Sequence, residues 1–231
     1  MKKESVVISL GGSLIYPEKL KHPDVPFLNK FSKGIQQLSK KYRVIVVCGG
    51  GYAARAYIRP LQKKNISGVL LSRVGIASTL ENALFVSLFL DANTEIPRNT
   101  RQAIRMIKKR SLVITGSLEI GPNQTTDANA ALLAKKLKSK FINLTDVTGL
   151  YDKNPHKFKN AKLIKEISFT NFNRMTNAIK FEAGQHFVLD QKAAVIVSKY
   201  NIPTAIIRGN NFKAIKLFLK NKPFTGTLIY G

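Results

Sequence analysis

The stretch Thr115 to Pro155, TGSLEIGPNQTTDANAALLAKKLKSKFINLTDVTGLYDKNP, carries the densest chemistry in the chain. Gly121, Pro122, Asn123 and Gln124 form a loop. Thr125, Thr126 and Asp127 then offer N-cap oxygens ahead of an apolar helical run, Ala130, Leu133, Ala134 and Leu137. A helix starting there aims unpaired N–H groups, and about half a positive charge, at the loop. That end suits a phosphate, and the Asp127 carboxylate suits a cation beside it. A short strand, Phe141 to Leu144, follows. It leads into a loop from Thr145 to Pro155, with Gly149, Tyr151 and Pro155 placed where a base or ribose could lie. The alternative is a plain helix–strand unit in which Thr-Thr-Asp is only a cap.

Two further stretches offer phosphate chemistry. Ser5 to Leu10 is a β-branched apolar run that ends in Gly11-Gly12-Ser13, and Arg43 to Cys48 is a second such run that ends in Gly49-Gly50-Gly51. Glycines let a backbone approach an anion closely, and Ser13 adds a hydroxyl. The pattern is neither G-x-x-x-x-G-K-[ST] nor G-x-G-x-x-G, so a tight turn is the competing reading. The helix Pro26 to Lys41 joins the two strands into a βαβ unit, whose strand ends share one edge of an open sheet. Ligands bind at that edge. Arg55, one turn into the helix after the second glycine run, is placed to grip a phosphate bidentately.

Those residues need a scaffold. Ser72 to Asp91 reads as a helix with apolar residues on more than one face, either buried on both sides or packed in a subunit interface. Ser111 to Thr115 reads as a third central strand. Beyond Pro155 come a lysine-rich loop to Lys162, Leu163 to Ile167, a polar helix ending near Lys180, and a turn or loop from Phe181 to Leu189. Gln191 to Tyr200 is a helix, with Asp190 either its N-cap or a site carboxylate. Pro203 to Ile207 is another buried strand, Asn211 to Leu219 a helix and Thr227 to Tyr230 a last strand.

Composition narrows the class. The chain has 231 residues, 44% of them hydrophobic, without a run of eighteen apolar residues, which predicts one domain over residues 1–231, no membrane span and a cytoplasmic location. MKKESVVISL reads as a first strand rather than a signal peptide. The single Cys48, at a strand end, reads as core, and His22, His156 and His186 lack the spacing of a zinc site. Lys and Arg number 38 against 13 Asp and Glu, a net charge of +25. Nucleic-acid contact is one reading of that surplus. The lysines are dispersed and no groove-reading module accompanies them, so diffuse surface charge that concentrates anionic substrates is preferred.

Taken together, ISLGGSLI (8–15), VVCGGGYAARAYI (46–58), VGIASTLENALF (74–85), TTDANAALLAKKL (125–137), TDVTGLYDKNP (145–155), DQKAAVIVSKYNIPTAII (190–207) and GTLI (226–229) resemble the amino acid kinase family, most closely its archaeal-type UMP kinases. The match runs in order along nearly the whole chain. It implies a three-layer α/β/α sandwich on a mainly parallel central sheet and transfer of the ATP γ-phosphoryl group to UMP with Mg²⁺. It also implies a homohexamer. By the resemblance, Gly11, Gly12 and Ser13 take the ATP phosphates, with Ser9 just before them. Gly51 and Arg55 lie near the phosphates of both nucleotides. Thr145, Asp146, Tyr151 and Asn154 hold adenosine. Gly50, Ser72 and the loop Gly121, Pro122, Asn123, Gln124, Thr125 and Thr126 serve UMP. Asp127 and Asp190 match the acidic pair near the metal and the moving phosphoryl group, in a reaction dominated by positioning and charge neutralisation.

Three departures stand out. Ser9 occupies a position where many relatives carry Lys, Ser72 one where an acidic residue is usual, and Val147-Thr148-Gly149 and Lys153-Asn154-Pro155 replace triplets that contain carboxylates. Alternatives to UMP kinase are a sister kinase acting on isopentenyl phosphate, acetylglutamate or carbamate, and a non-catalytic nucleotide- or nucleic-acid-binding regulator. Isopentenyl phosphate kinases place a histidine soon after the glycine run, and Tyr52 to Arg59 contains none.

Overall fold

The computed structural model describes residues 3–118, 125–178 and 189–231. In chain order the elements are β1 (Ser5–Leu10), α1 (Gly12–Ile15), α2 (Val25–Ser39), β2 (Arg43–Cys48), α3 (Gly51–Gln62), α4 (Gly68–Phe89), α5 (Thr100–Lys109) and β3 (Leu112–Thr115). They continue with α6 (Thr126–Leu137), β4 (Lys140–Thr145), β5 (Leu150–Tyr151), β6 (Leu163–Ile164), β7 (Glu166–Ser168), α7 (Phe169–Ala178), α8 (Gln191–Lys199), β8 (Thr204–Arg208), α9 (Phe212–Leu219) and β9 (Thr227–Tyr230).

Seven strands form one sheet in the order β3-β2-β1-β4-β8-β9-β7. The pairs from β3 through β8 are parallel. β9 runs antiparallel to β8, and β7 pairs parallel with β9. The mainly parallel α/β/α expectation therefore holds, with one correction: β3 is an edge strand, not a central one. Asn93 pins its open edge, accepting from the Ile114 amide at 2.7 Å and donating to the Ile114 carbonyl at 3.0 Å.

The strands read as continuous apolar runs because both faces are covered. Val7, Ile45, Val113, Phe141 and Ile206 pack under α5, α6, α7 and α8. Val6, Ile8, Val46, Ile142 and Ile207 pack under α2, α4 and α9. Phe31, Phe141 and Phe172 are among the largest fully buried side chains; each contributes roughly 1.5–3 kcal/mol by leaving water. Cys48 lies in this core, where burial pushes its thiol far up, as befits packing rather than nucleophilic chemistry.

Several boundaries differ from the sequence reading, for local reasons. α4 starts at Gly68 rather than Ser72, because the Ser67 hydroxyl accepts from the Leu70 amide and caps it. α5 was not anticipated; Asn99 caps it, accepting from the Gln102 amide at 2.9 Å, and Thr100, Ala103 and Ile107 are buried while Ile104 and Met106 pack against the core. The span after Thr145 contains a small hairpin, in which Leu150 pairs with Ile164 and Tyr151 with Leu163. α4 has the length and composition of a membrane-crossing helix. Yet Arg73, Glu81 and Asn82 interrupt it, and Ala83, Val86 and Leu90 lie in the core. The turn expected at Phe181 to Leu189, save Leu189, and the end of the polar helix near Lys180 lie outside the described residues.

Candidate active site

Chain order leaves β1 for β2 and β3 on one side, then returns to β4 on the other. The gap between the C-terminal ends of β1 and β4 is therefore the switch point of the sheet, where open α/β folds receive ligands. The Gly11 amide donates across it to the Leu144 carbonyl at 3.1 Å. A cavity of about 140 Å³ opens above, lined by Gly11, Ser13, Asp127, Asn143, Thr145 and Asp146 and closed by Asn154, Pro155 and His156. Asp146 meets His156 Nε2 at 3.3 Å and accepts from Thr145 Oγ1 at 3.1 Å. Tyr151, expected here, is not among the residues lining this cavity; it pairs in the hairpin instead.

Beside this cavity the two glycine turns lock together. A Cβ on Gly12 would meet the Gly51 nitrogen at 2.1 Å and the Gly49 carbonyl carbon at 2.7 Å, and Gly51 has φ +61°. The sequence suggested these glycines for close approach to an anion. Their packing against each other is a second and stricter reason for them. The Gly49 amide donates to the Leu10 carbonyl at 2.9 Å, and the buried Asn82 donates to the carbonyls of Gly49 and Gly50 at 2.7 and 3.1 Å.

Two carboxylates stand at helix starts on the other flank. Thr125 caps α6, accepting from the Ala128 amide at 3.1 Å, while its hydroxyl donates to Asp190 at 2.6 Å. Asp190 caps α8 through its other oxygen, accepting from the Ala193 amide at 3.0 Å. Cap and site carboxylate were posed as alternatives; the geometry makes Asp190 the cap while bringing its charge to Asp127. Asp127 accepts from the Ser9 hydroxyl at 2.5 Å. Burial pushes the Asp127 carboxyl up to about 7, and the Asp190 charge adds to the rise, while the Ser9 hydroxyl opposes it.

That shift makes a stability prediction. An unfolded aspartate ionises near pH 4, so the folded state binds the extra proton, and stability falls as pH rises from about 4 through about 7. In EDTA, the wild-type chain is expected to lose more stability than Asp127→Asn between pH 5 and pH 8 in thermal melts. Equal losses in both would place Asp127 in an ordinary solvated setting.

On the far side of the glycine turns, Arg55 Nη2 lies 3.5 Å from Glu18 and Arg59 Nη1 lies 2.9 Å from the same carboxylate. The Arg59 hydrogen bond and the charges of both arginines hold Glu18 below the usual carboxylate range. Gly50 sits against Ala54 and the Gly75 carbonyl of α4. Ser72, one turn before Gly75, donates to the Gly68 carbonyl of its own helix at 2.8 Å. Thr126 opens α6 next to Asp127. Gly121, Pro122, Asn123 and Gln124 lie outside the described residues.

Asn143, Asn82, His156 and Glu18 were missed from the sequence. Asn143 is a buried polar residue inside the apolar strand FINLT, beside Ser9 in register, and Asn82 is buried within an apolar helix. A polar residue where periodicity demands an apolar one was the available signal. His156 and Glu18 carried none.

A profile described as the amino acid kinase family matches residues 4–208. The uridylate kinase of Thermoplasma acidophilum is 34% identical over 228 residues, covering 98% of this chain and 96% of its own length. The crystal structure of uridylate kinase from Archaeoglobus fulgidus superposes with a TM-score of 0.82 at 31% identity, over 97% of this chain and 99% of that one. The UMP kinase of Bacillus anthracis shares the fold, with a TM-score of 0.80 at 20% identity. With its glycine turns and helix-start carboxylates gathered at the switch point of the sheet, and with a family match over most of its length, the chain belongs to the amino acid kinase family.

Proposed function

We propose that this chain is a UMP kinase, a single amino acid kinase domain that transfers the γ-phosphoryl group of ATP to UMP, giving ADP and UDP. The observation that carries the substrate is its likeness, over 98% of its length, to a uridylate kinase. In this reading the ATP phosphates lie over Gly11, Gly12 and Ser13, with adenosine towards Thr145, Asp146, Tyr151 and Asn154. UMP lies across Gly50, Ser72, Thr125, Thr126 and the loop 121–124. Gly51 and Arg55 face the phosphates of both.

Asp127 and Asp190 flank the path of the phosphoryl group. Two carboxylates and adjoining hydroxyls are hard oxygen donors that fit Mg²⁺, which keeps waters and substrate oxygens in its remaining positions. When bound, Mg²⁺ neutralises phosphate charge. The chain itself orients the two nucleotides in line and excludes water. Ser9 stands where many relatives place Lys, so positive charge on the protein side falls to Arg55.

A coupled assay of ADP release with UMP, CMP, isopentenyl phosphate and acetylglutamate tests the reading. Turnover with UMP is expected; ADP release with none of the four would make the chain a binding protein. Arg55→Ala is expected to raise the KM for UMP about tenfold or more, since a charged hydrogen bond of about 1.5–3 kcal/mol is lost. An unchanged KM would return Arg55 to the surface.

The same reading includes a cytoplasmic homohexamer. Along α4, Leu70, Ala77, Leu84 and Leu88 recur on one exposed stripe, Leu84 being 43% and Leu88 60% exposed, while Ile76, Ala83 and Val86 face the core. Such a stripe suits helix-to-helix contact between protomers. Leu84→Glu with Leu88→Glu is expected to lower the assembly state in analytical ultracentrifugation; an unaltered sedimentation profile would move the interface elsewhere.

A further inference from the structure

We infer that Glu18 is a positioning residue that competes with the acceptor phosphate for Arg55 and thereby sets how tightly UMP binds. The inference rests on the role given to Arg55 above. In a guanidinium, Nε–H and Nη2–H lie side by side and form a fork that matches two oxygens of one oxyanion. Glu18 Oε2 meets Nη2 of that fork at 3.5 Å, whereas its other oxygen is drawn to Arg59 Nη1 at 2.9 Å. Nε of Arg55 is buried and has no hydrogen-bond partner among the described residues. Only half of the fork is therefore used.

An unpaired N–H on a partly buried cation is unfavourable, so the unliganded arrangement favours an incoming oxyanion that fills both positions. Glu18 must yield Nη2 to it. It keeps Arg59 when it does, so no carboxylate is stranded. Its place beside Arg55 is also fixed by the backbone. The Tyr52 amide donates to the Tyr16 carbonyl at 3.3 Å, and the two tyrosine rings stack with centroids 5.7 Å apart. Those contacts fasten the segment that carries Glu18 to the start of α3, one turn from Arg55.

Initial rates at saturating ATP test the competition, together with titration of UMP against the ¹⁵Nε signal of Arg55. Glu18→Gln is expected to lower the KM and the titration midpoint for UMP about twofold to fivefold, the range of a partly exposed ion pair, with kcat unchanged. Arg59→Gln is expected to shift both the other way, because Glu18 then has only Arg55 to pair with. A contact that served folding alone would move the two variants in the same direction. In an Arg55→Ala background, Glu18→Gln should bring no gain. An unchanged or raised KM in Glu18→Gln, or a shift of the same sign in Arg59→Gln, overturns the inference. If the wild-type chain leaves UMP unphosphorylated, the kinase reading falls, and inorganic phosphate titrated against the same Nε signal judges Glu18 alone. Tighter phosphate binding in Glu18→Gln then supports the competition, and unchanged binding overturns it.

Discussion

Asp190→Asn is expected to reduce kcat by about 10²- to 10³-fold, the size of loss seen when one preorganised polar group aimed at a transition state is removed, while the fold stays intact. The split follows from the double duty of this side chain. One oxygen caps α8 at the Ala193 amide and the other accepts from Thr125. Asparagine caps a helix about as well as aspartate, so the variant keeps the cap and loses the charge together with the acceptor for the Thr125 hydroxyl. Asp190→Ala should show the same fall in kcat and lose about 1 kcal/mol of stability besides. Steady-state rates beside thermal melts of the two variants separate the roles. Turnover close to wild type in Asp190→Asn would leave the residue a helix cap and nothing more.

Gly12→Ala is expected to damage the fold badly for a single added methyl group. Its Cβ would lie 2.1 Å from the Gly51 nitrogen and 2.6 Å from the Gly51 Cα. These are backbone atoms, which cannot rotate away as a side chain would. Relief requires the two turns to part, and the cost belongs at the upper end of overpacking, about 3 kcal/mol. Activity should fall further than stability, because both turns form the proposed phosphate-facing surface. Gly68→Ala is the control: nothing lies within 4 Å of its added Cβ, and alanine in a helix is favoured over glycine by up to about 1 kcal/mol. Chemical denaturation should therefore shift the two variants in opposite directions. A Gly12→Ala protein as stable as wild type would mean that the turns do not interlock.

How far the sequence led is clearest at particular residues. The buried strands were legible because both faces of a parallel sheet demand apolar side chains, and the glycines after Leu10 and Cys48 marked where each strand stopped. Thr125 and Asp190 were legible as helix caps because capping follows from short polar side chains at fixed offsets. The meeting of Asp190 with Thr125 was not, since the partners are separated by 65 positions and only the sheet order brings α6 and α8 side by side. The edge position of β3 escaped for a similar reason. Its composition suits an interior strand, and what covers its open side is the side chain of Asn93. Tyr151 came from its place in the loop and from the resemblance; its backbone pairs with Leu163, beside rather than within the lining of the cavity. The resemblance to a kinase family supplied the nucleotide identities, which no periodicity encodes.

The interlocked glycine turns bear on motion as well as on shape. Two backbones that touch at Gly12, Gly49 and Gly51, with Asn82 gripping the second from beneath, leave no room for a hinge between β1 and β2. Any closing over two bound nucleotides has to come from the outlying segments instead. The hairpin that carries Asn154, which borders the cavity from outside the interlocked turns, is one such segment, and the ground beneath the phosphates stays still while it moves.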